Sequence, residues 1–203
     1  MFRFAAAAIA WLFPLLALAQ AYPSKPIRLI CPFPPAGAVD IASRAIADEL
    51  TKVLGQPVTV DNKPGAGGNL GADLVAKAAP DGHTVLLGTI VTHATAPHMG
   101  KLPYNAEKDF AQVGFHGFNA AWLLVNPALP VRTFGEFVEH VRRNPGKLNY
   151  GTPSIGSSSH LSAELLKQTL NLDYQHVPYK GSTPALQDLV GGQLHFMFDN
   201  IGS

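Results

Sequence analysis

The sequence predicts an α/β fold in which short parallel strands alternate with helices. Three observations predict it. Runs rich in β-branched and aliphatic residues recur along the chain, segments with apolar residues three and four apart separate them, and glycine or proline stands at most junctions. Because parallel strands need a crossover connection, usually a helix, this order favours open sheets with helices on both faces.

Residues 22–119 are predicted to form the N-terminal part of a first lobe, in the order βαβαβ. The segment 37–54 carries apolar residues at helical spacing on one face, and Gly55 stands where a glycine commonly ends a helix. Asp81 and Gly82 predict a turn before the third strand. The predicted strands are residues 27–33, 58–61 and 84–88, and the predicted helices are residues 37–54 and 70–79.

Residues 120–203 are predicted to form a second lobe. The pattern changes at two apolar, aromatic-rich runs, residues 113–118 and 122–125, where we expect the chain to cross between lobes. The alternation then resumes, with predicted strands at residues 148–151, 174–177 and 194–198 and predicted helices at residues 133–143, 159–170 and 183–190. The last strand has no helix after it to cover it, so we expect a truncated chain whose first lobe lacks its C-terminal completion.

Residues 1–21 are typical of a secretory signal peptide. Arg3 lies in a short basic region, an apolar run follows at residues 4–18, and the small residues after it fit a cleavage site. The apolar run is shorter than the roughly 20 residues that a membrane-spanning helix needs, which argues against an anchor. We therefore expect export to the periplasm and a mature chain that begins at Gln20 or, preferably, Tyr22.

The composition excludes several classes of protein. The chain has 203 residues, of which 47% are hydrophobic and 14% charged, so it can bury a core and is not disordered. The formal net charge of +1 gives no basic field to attract nucleic acid. The single cysteine, Cys31, excludes an intrachain disulfide, a thiolate zinc cage and a CxxC redox pair, and its apolar neighbours predict burial rather than reactivity.

The loops that lead from strands into helices are the candidate binding site, because open α/β sheets bind ligands at the carboxyl ends of their strands. Residues 33–40, here called the proline loop, combine two prolines and small residues with a helix start, whose free amides favour an anion. A tight turn without a ligand fits this loop equally well. Residues 61–71, the glycine loop, read GAGGNLG near their end, which matches neither the dinucleotide fingerprint nor a P-loop.

Two further loops offer hydroxyl groups and amides. They are residues 89–94, the threonine loop, and residues 151–160, the serine loop. One serine of the serine loop is expected to cap the following helix. A cap does not need four serines, so we favour a ligand role for the cluster.

A secreted hydrolase is the enzymatic alternative. Ser157, His160 and Asp199 are the residue types of a catalytic triad, but no GxSxG elbow is present, and Ser157 and His160 lie one helical turn apart. The eight histidines show no HxH or HExxH spacing. We therefore predict no catalytic residues, no metal site and no cofactor.

Nine segments carry a family resemblance that spans essentially all of the expected mature chain. In order, they are YPSKPI at 22–27, PFPP at 32–35, NKPGAGGN at 62–69, DGHT at 81–84, DF at 109–110, NPGKLNYG at 144–151, HL at 160–161, HVPYKG at 176–181 and FDN at 198–200. Together they resemble the extracytoplasmic solute receptors of tripartite tricarboxylate transporters, also called Bordetella uptake gene or TctC-like proteins.

The resemblance implies a fold similar to type II periplasmic binding proteins, in which two lobes close on a small carboxylate. It implies delivery of the ligand to membrane permease subunits, with no nucleic acid, and we expect a monomer. The proline and serine loops would face each other and share the carboxylate. The residues expected to bind the ligand are Phe33, Ala36, Gly37, Ala38, Asp40, Gly67, Gly68, Asn69, Thr89, Thr92, His93, Ser154, Gly156, Ser157, Ser158, His160, Lys180 and Asp199.

Two departures from the family bear on these expectations. Ala36 stands where the family usually carries glycine, and its methyl group disfavours positive φ, which predicts a displaced loop and a weaker site. The chain is also shorter than family members, so an inactive receptor fragment is the second alternative. Asp40 is either a partner of the helix dipole or, if it points inward, a selector for a ligand amine.

Overall fold

The computed structural model describes residues 22–118 and 120–200, which form two sheets with flanking helices. The predicted signal peptide, residues 1–21, lies outside the described residues. Within the two described ranges, no helix has both the length and the apolar character needed to cross a membrane. The predicted α/β fold class, with sheets rich in parallel strands, is confirmed.

The first sheet has three parallel strands. They are β1 (Ile27–Cys31), β2 (Val58–Asn62) and β3 (Thr84–Leu86), connected by helices α1 (Ala38–Leu54) and α2 (Asn69–Ala76). The strand order is β2-β1-β3, so the first strand is central and the βαβαβ prediction holds. Buried aliphatic residues form the core of this half, namely Ile27, Leu29, Ala47, Val58 and Leu87. The carboxyl ends of all three strands lie at one edge, where the proline, glycine and threonine loops begin.

Strand β1 ends at Cys31, two residues earlier than predicted. Pro32 has no N–H to donate to a neighbouring strand, so the ladder cannot continue through it. The last backbone bonds to β1 are donated by Lys63 to the Cys31 carbonyl at 2.8 Å and by Leu87 to the Ile30 carbonyl at 3.0 Å. Cys31 is buried, as predicted.

A helical segment follows β3 where the sequence predicted a loop. It consists of a π-helix, Val91–Thr95, that continues into the single α-turn α3 (Ala96–Met99). Val91 and Thr92 are 5% and 0% exposed, so tertiary burial rather than intrinsic helix propensity holds this segment. Its β-branched residues and Pro97 explain why the sequence pattern did not reveal it.

The second sheet has four strands. They are β4 (Ala121–Val125), β5 (Asn149–Thr152), β6 (Gln175–Pro178) and β7 (Phe196–Asn200), and the helices are α4 (Phe134–Arg143), α5 (Ser158–Leu170) and α6 (Ser182–Val190). The order is β4-β7-β5-β6, with β5 parallel to both neighbours. Strand β4 pairs antiparallel with β7, which the simple alternation of strands and helices did not predict.

The aromatic run before β4 forms neither strand nor helix. Residues 113–118 have no regular structure, and Val113, Phe115 and Phe118 are 87%, 75% and 91% exposed. The second run forms β4, as its β-rich composition indicated. The apolar character of residues 113–118 therefore reflects no burial against the described part of the chain.

A column of aromatic rings runs through the second sheet towards the serine loop. The ring of Phe196 stacks on Tyr150 at 5.5 Å between centroids, Tyr150 stacks on His176 at 4.8 Å, and His176 stacks on His160 at 4.3 Å. Phe196 and Tyr150 are fully buried. Burial, together with the neighbouring His160, lowers the pKa of His176 to about 4, so its imidazole is neutral at physiological pH.

Helix α2 approaches the first sheet so closely that it requires glycine at one position. A methyl group built on Gly71 would lie 3.0 Å from Pro32 Cα and 3.1 Å from the Lys63 carbonyl oxygen, and both are backbone atoms. We expect Gly71→Ala to lower the free energy of unfolding by about 1–3 kcal/mol. Gly135→Ala, at an exposed position of α4 with no atom within 4 Å, is the matched control and should stabilise by up to about 1 kcal/mol. Urea unfolding of the wild type and the two variants measures both changes in the free energy of unfolding. Equal effects of the two substitutions would contradict the close packing of Gly71 against Pro32 and Lys63.

The lowered pKa of His176 predicts acid sensitivity. The unfolded chain binds a proton at this imidazole near its ordinary pKa of 6.5, whereas the folded protein binds it only near pH 4. Stability should therefore fall as the pH is lowered through this window. We expect His176→Gln, which keeps a polar atom facing Thr152, to reduce the pH dependence of Tm between pH 6.5 and 4. His98→Gln, at an exposed site, should not, and equal slopes in all three proteins would refute the assignment.

Candidate functional site

Loops at the carboxyl ends of the two sheets contact each other, as three distances between described residues show. A methyl group built on Gly181 would lie 3.5 Å from Pro34 Cγ, and one built on Gly67 would lie 4.0 Å from the Ile155 carbonyl oxygen. The Thr95 hydroxyl donates a 2.9 Å hydrogen bond to the Gly156 carbonyl oxygen. The proline and glycine loops and the helical segment of one half thus face the serine loop and the start of α6 in the other.

Asp40 organises the proline loop from within. Its Oδ2 accepts hydrogen bonds from the Ala36 amide at 2.9 Å and from Arg44 Nε at 3.0 Å, and its Oδ1 accepts from Arg44 Nη2 at 3.0 Å and from Asn62 Nδ2 at 2.9 Å. Asn62 Nδ2 also donates to the Phe33 carbonyl oxygen. Both oxygens of this 3% exposed carboxylate are therefore occupied, and neither is free for a ligand amine.

The hydrogen bonds to Asp40 also set its charge. Burial by itself would raise the pKa of Asp40, but the bonds from Arg44, the Ala36 amide and Asn62 together outweigh burial and hold the pKa below its usual value. Asp40 is consequently a carboxylate at neutral pH. It shapes the loop that precedes α1, with Arg44 and Asn62 as partners that the sequence did not reveal.

Ala36 adopts the left-handed conformation despite its methyl group. Its φ is 64°, a value that costs a residue other than glycine about 1–2 kcal/mol. The expectation that Ala36 would avoid positive φ is therefore wrong. The hydrogen bond from its amide to Asp40 accounts for the difference, because it fixes the residue in this conformation.

The first turn of α1 presents unpaired amides. Gly37 is the N-cap and has no side chain to accept from them. Among residues 22–118 and 120–200, the amides of Ala38, Val39 and Asp40 have no hydrogen-bond acceptor. Such amides, together with the positive end of the helix dipole, are a site for an anion.

Gly68 brings three predicted site residues together. A methyl group built on it would lie 3.1 Å from Thr92 Cγ2 and 3.3 Å from Phe33 Cζ. The side chains of Thr92 and Phe33 therefore pack directly against the backbone of Gly68. The Tyr104 hydroxyl lies 2.8 Å from both Asn69 Oδ1 and the Thr92 carbonyl oxygen. Phe33, Asn69 and Thr92 thus pack around Gly68 and support the glycine loop.

The threonine loop is mostly satisfied within itself. Thr92 is fully buried, and its hydroxyl contacts the Thr89 amide and carbonyl and His93 Nδ1. His93 packs edge-on against Phe110 at 4.9 Å, and burial lowers its pKa. Thr89 Oγ1 is buried without a partner among the described residues. The sequence missed Thr95, which lies one turn after Thr92 and reaches the other half.

The serine loop ends in a capped helix with two free amides. Ser157 is the N-cap of α5: its hydroxyl accepts from the His160 amide at 3.2 Å and donates to the Ser154 carbonyl at 2.8 Å. Within the described ranges, the amides of Ser158 and Ser159 have no acceptor, and the hydroxyls of Ser154 and Ser159 are buried without a partner. The capping role predicted for one serine is confirmed, and this loop offers a second set of donors for an anion.

The residue types of a catalytic triad are engaged elsewhere. His160 Nδ1 accepts from the Gly156 amide at 3.1 Å, and the hydroxyl of Ser157 is taken up by the helix cap. Asp199 is 1% exposed and accepts from the Ser182 hydroxyl at 2.9 Å, while Lys180 is exposed beside Gly181. Within the part of the chain that the structure describes, no group of three or more His, Cys, Asp or Glu residues could hold a metal ion.

Solved structures resemble both the sequence and the fold of this chain. The R. palustris protein Rpa4515 with adipate is 36% identical, with a TM-score of 0.85 over 88% of this chain and 60% of that one. MatC (Rpa3494) from Rhodopseudomonas palustris with bound malate is 38% identical, with a TM-score of 0.80 over 88% and 61%. The periplasmic binding protein BugD is 33% identical, with a TM-score of 0.80 over 90% and 61%.

These likenesses confirm the predicted periplasmic-binding-protein-like fold. The chain spans about half the length of the curated relatives it matches. For example, it covers 55% of a 40% identical protein from Pseudomonas sp. (strain P51). A family model described as tripartite tricarboxylate transporter family receptor matches residues 42–202, which is most of the sequence. The chain therefore belongs to the tripartite tricarboxylate transporter receptor family, as the nine segments indicated.

Proposed function

We propose that the chain binds a small carboxylate between its two halves, at the N-termini of α1 and α5. The observation that carries the proposal is the pair of unpaired amide clusters, at residues 38–40 and at Ser158 and Ser159, on two loops that each contact the other half of the molecule. Backbone amides at a helix N-terminus recognise a carboxylate without an arginine. The hydroxyls of the serine loop supply further donors.

The relatives support this ligand class. Adipate and malate, which accompany two of the similar structures, are both dicarboxylates. The ligand-binding set predicted from the sequence is proposed in a reduced form. Ala38, Asp40 and Ser158 offer amides, whereas Phe33, Gly68, Asn69, Thr92, His93 and Ser157 support the loops. The other residues of the predicted set stay predictions, namely Ala36, Gly37, Gly67, Thr89, Ser154, Gly156, His160, Lys180 and Asp199.

We further propose that residues 22–119 and 120–203 belong to two lobes that close on the ligand, and that the closed form is recognised by membrane permease subunits. Closure of two lobes around a ligand is a common switching motion. Residues 1–21 would direct export to the periplasm, where similar receptors such as BugD act. The receptor would act as a monomer and without a cofactor.

Thermal unfolding of the secreted chain with adipate and malate tests the proposal. A ligand that binds only the folded state adds about 2.7 kcal/mol at one hundred times its Kd, so we expect a rise in Tm. The matched control is 1,6-hexanediol, which has the carbon chain of adipate without its carboxylates and should cause no rise. A cooperative transition that neither dicarboxylate shifts would overturn the proposal. The absence of any cooperative transition would favour the alternative of an inactive receptor fragment.

A variant that lacks one backbone amide tests the proposed anion site directly. Ser158 is the first residue of α5, where proline is tolerated, and the φ of −66° and ψ of 162° at Ser157 suit a residue before proline. Ser158→Pro deletes one donor to a charged acceptor, worth about 1.5–3 kcal/mol, so adipate should bind at least about tenfold more weakly. Ser158→Ala keeps the amide and should bind within about twofold of the wild type. Titration calorimetry compares the three, and equal affinities would place the carboxylate elsewhere.

Ala36 provides a stability test of the proline loop. Replacing it with glycine removes the cost of positive φ, partly offset by the greater freedom of glycine in the unfolded chain. We expect Ala36→Gly to raise the free energy of unfolding by about 0.5–1 kcal/mol. Ala45→Gly, at an exposed position inside α1, should lower it by about 1 kcal/mol. Urea unfolding decides between these signs, and destabilisation by both changes would mean that the loop does not hold Ala36 in the left-handed region.

A further inference from the structure

Both backbone groups of Gly156 are held by side chains, and the two side chains come from different halves of the molecule. Its amide donates to His160 Nδ1 at 3.1 Å, within the serine loop and α5. Its carbonyl oxygen accepts from the Thr95 hydroxyl at 2.9 Å, across the interface. The residue has a φ of +78°, a backbone conformation that favours glycine.

From this geometry we infer that Thr95 and His160 are positioning residues that couple the approach of the two halves to the conformation of the serine loop. The inference rests on the proposed function, because Gly156 lies two residues before the free amide of Ser158. His160 would hold the loop in the conformation that exposes this amide. Thr95 would fasten the same loop to the other half.

The hydroxyl of Thr95 is suited to a reversible contact. It has one proton to donate, and besides Gly156 it lies 3.3 Å from the Val91 carbonyl oxygen in its own π-helix. When the halves separate, the hydroxyl can donate to Val91, as threonine commonly does within a helix. Separation therefore leaves no buried donor unsatisfied, which keeps both the joined and the separated arrangement accessible.

The ring of His160 is fixed in place by the aromatic column. It stacks on His176 at 4.3 Å, and His176 Nε2 lies 2.7 Å from the Thr152 hydroxyl at the end of β5. Because the Gly156 amide donates to Nδ1 of His160, this nitrogen carries no proton, and the proton of the neutral ring resides on Nε2. The column thus links the buried core of the second sheet to the peptide that Thr95 contacts.

Hydrogen–deuterium exchange of the ligand-free protein tests the coupling directly. Thr95 is 61 residues from Gly156, yet we expect Thr95→Val, which keeps the shape and removes the hydroxyl, to speed exchange in a peptide covering residues 153–160 about fivefold to tenfold. Thr95→Ser keeps the hydroxyl and should restore wild-type exchange. Unchanged exchange in the valine variant, or no rescue by serine, would overturn the inference.

The role of His160 has its own pair of variants. Asparagine can place its side-chain oxygen where Nδ1 accepts, so His160→Asn should keep the exchange of this peptide within about twofold of the wild type, whereas His160→Ala should speed it. Because both side chains act on Gly156, the effect of Thr95→Val should be smaller in the His160→Ala background than in the wild type. Independent effects, or an alanine variant that behaves like the wild type, would overturn the assignment.

Titration with adipate then separates the two proposals. If the wild type binds, Thr95→Val should weaken binding about fivefold to tenfold and Thr95→Ser should restore it. Valine and wild-type proteins that bind adipate equally would contradict the coupling even if the proposed function holds. If the wild type binds no dicarboxylate, the proposed function fails, and the exchange measurements still decide whether Thr95 and His160 act through Gly156.

Discussion

The amides in the first turn of an α-helix have no acceptor within the helix, and the arrangement of this molecule depends on that constraint. Helix α1 follows β1 and helix α5 follows β5, so both helices begin at the carboxyl ends of parallel strands, where loops of the two halves meet. A carboxylate satisfies these groups in a way that an apolar side chain cannot. In the proposed site, the chemistry would therefore be set mainly by backbone geometry, and the side chains around it would act by holding that geometry.

The two halves hold their loops by different means. In the first half, the buried carboxylate of Asp40 collects hydrogen bonds from Ala36, Arg44 and Asn62, so that one charged group fixes a strained turn. In the second half, stacked rings rise from the core to His160, whose nitrogen accepts from the loop. The first arrangement depends on the charge of Asp40, which is kept near neutral pH, and the second depends on the neutral imidazole of His176. Acidification should therefore lower the stability of both halves, because it protonates Asp40 in one and His176 in the other.

Most of the fold was predictable because its signals are local. The periodicity of α1 and the glycine after it predicted that helix to within one residue, and the serine cluster predicted that one of its members caps α5. The larger failures share one cause, which is that long-range contacts decided them, whereas the early end of β1 follows from Pro32 itself. Residues 91–99 become helical because Val91 and Thr92 are buried, and β4 pairs antiparallel with a strand some seventy residues later. The role of Asp40 in its loop likewise depends on a long-range contact, because Asn62, at the end of β2, donates to its Oδ1.

A glycine takes part in three contacts between the halves: Gly67 beside Ile155, Gly156 beside Thr95, and Gly181 against Pro34. A glycine has no side chain, so a neighbouring group can approach its backbone closely. Backbone amides recognise a carboxylate without contacting the rest of the ligand, so in the proposed site the sequence indicates the class of ligand and not its identity. Contacts of this kind also make the approach of the halves sensitive to single backbone groups. The Gly156 peptide is such a group, because the loop that would bind the anion and the hydroxyl that joins the halves both depend on its orientation.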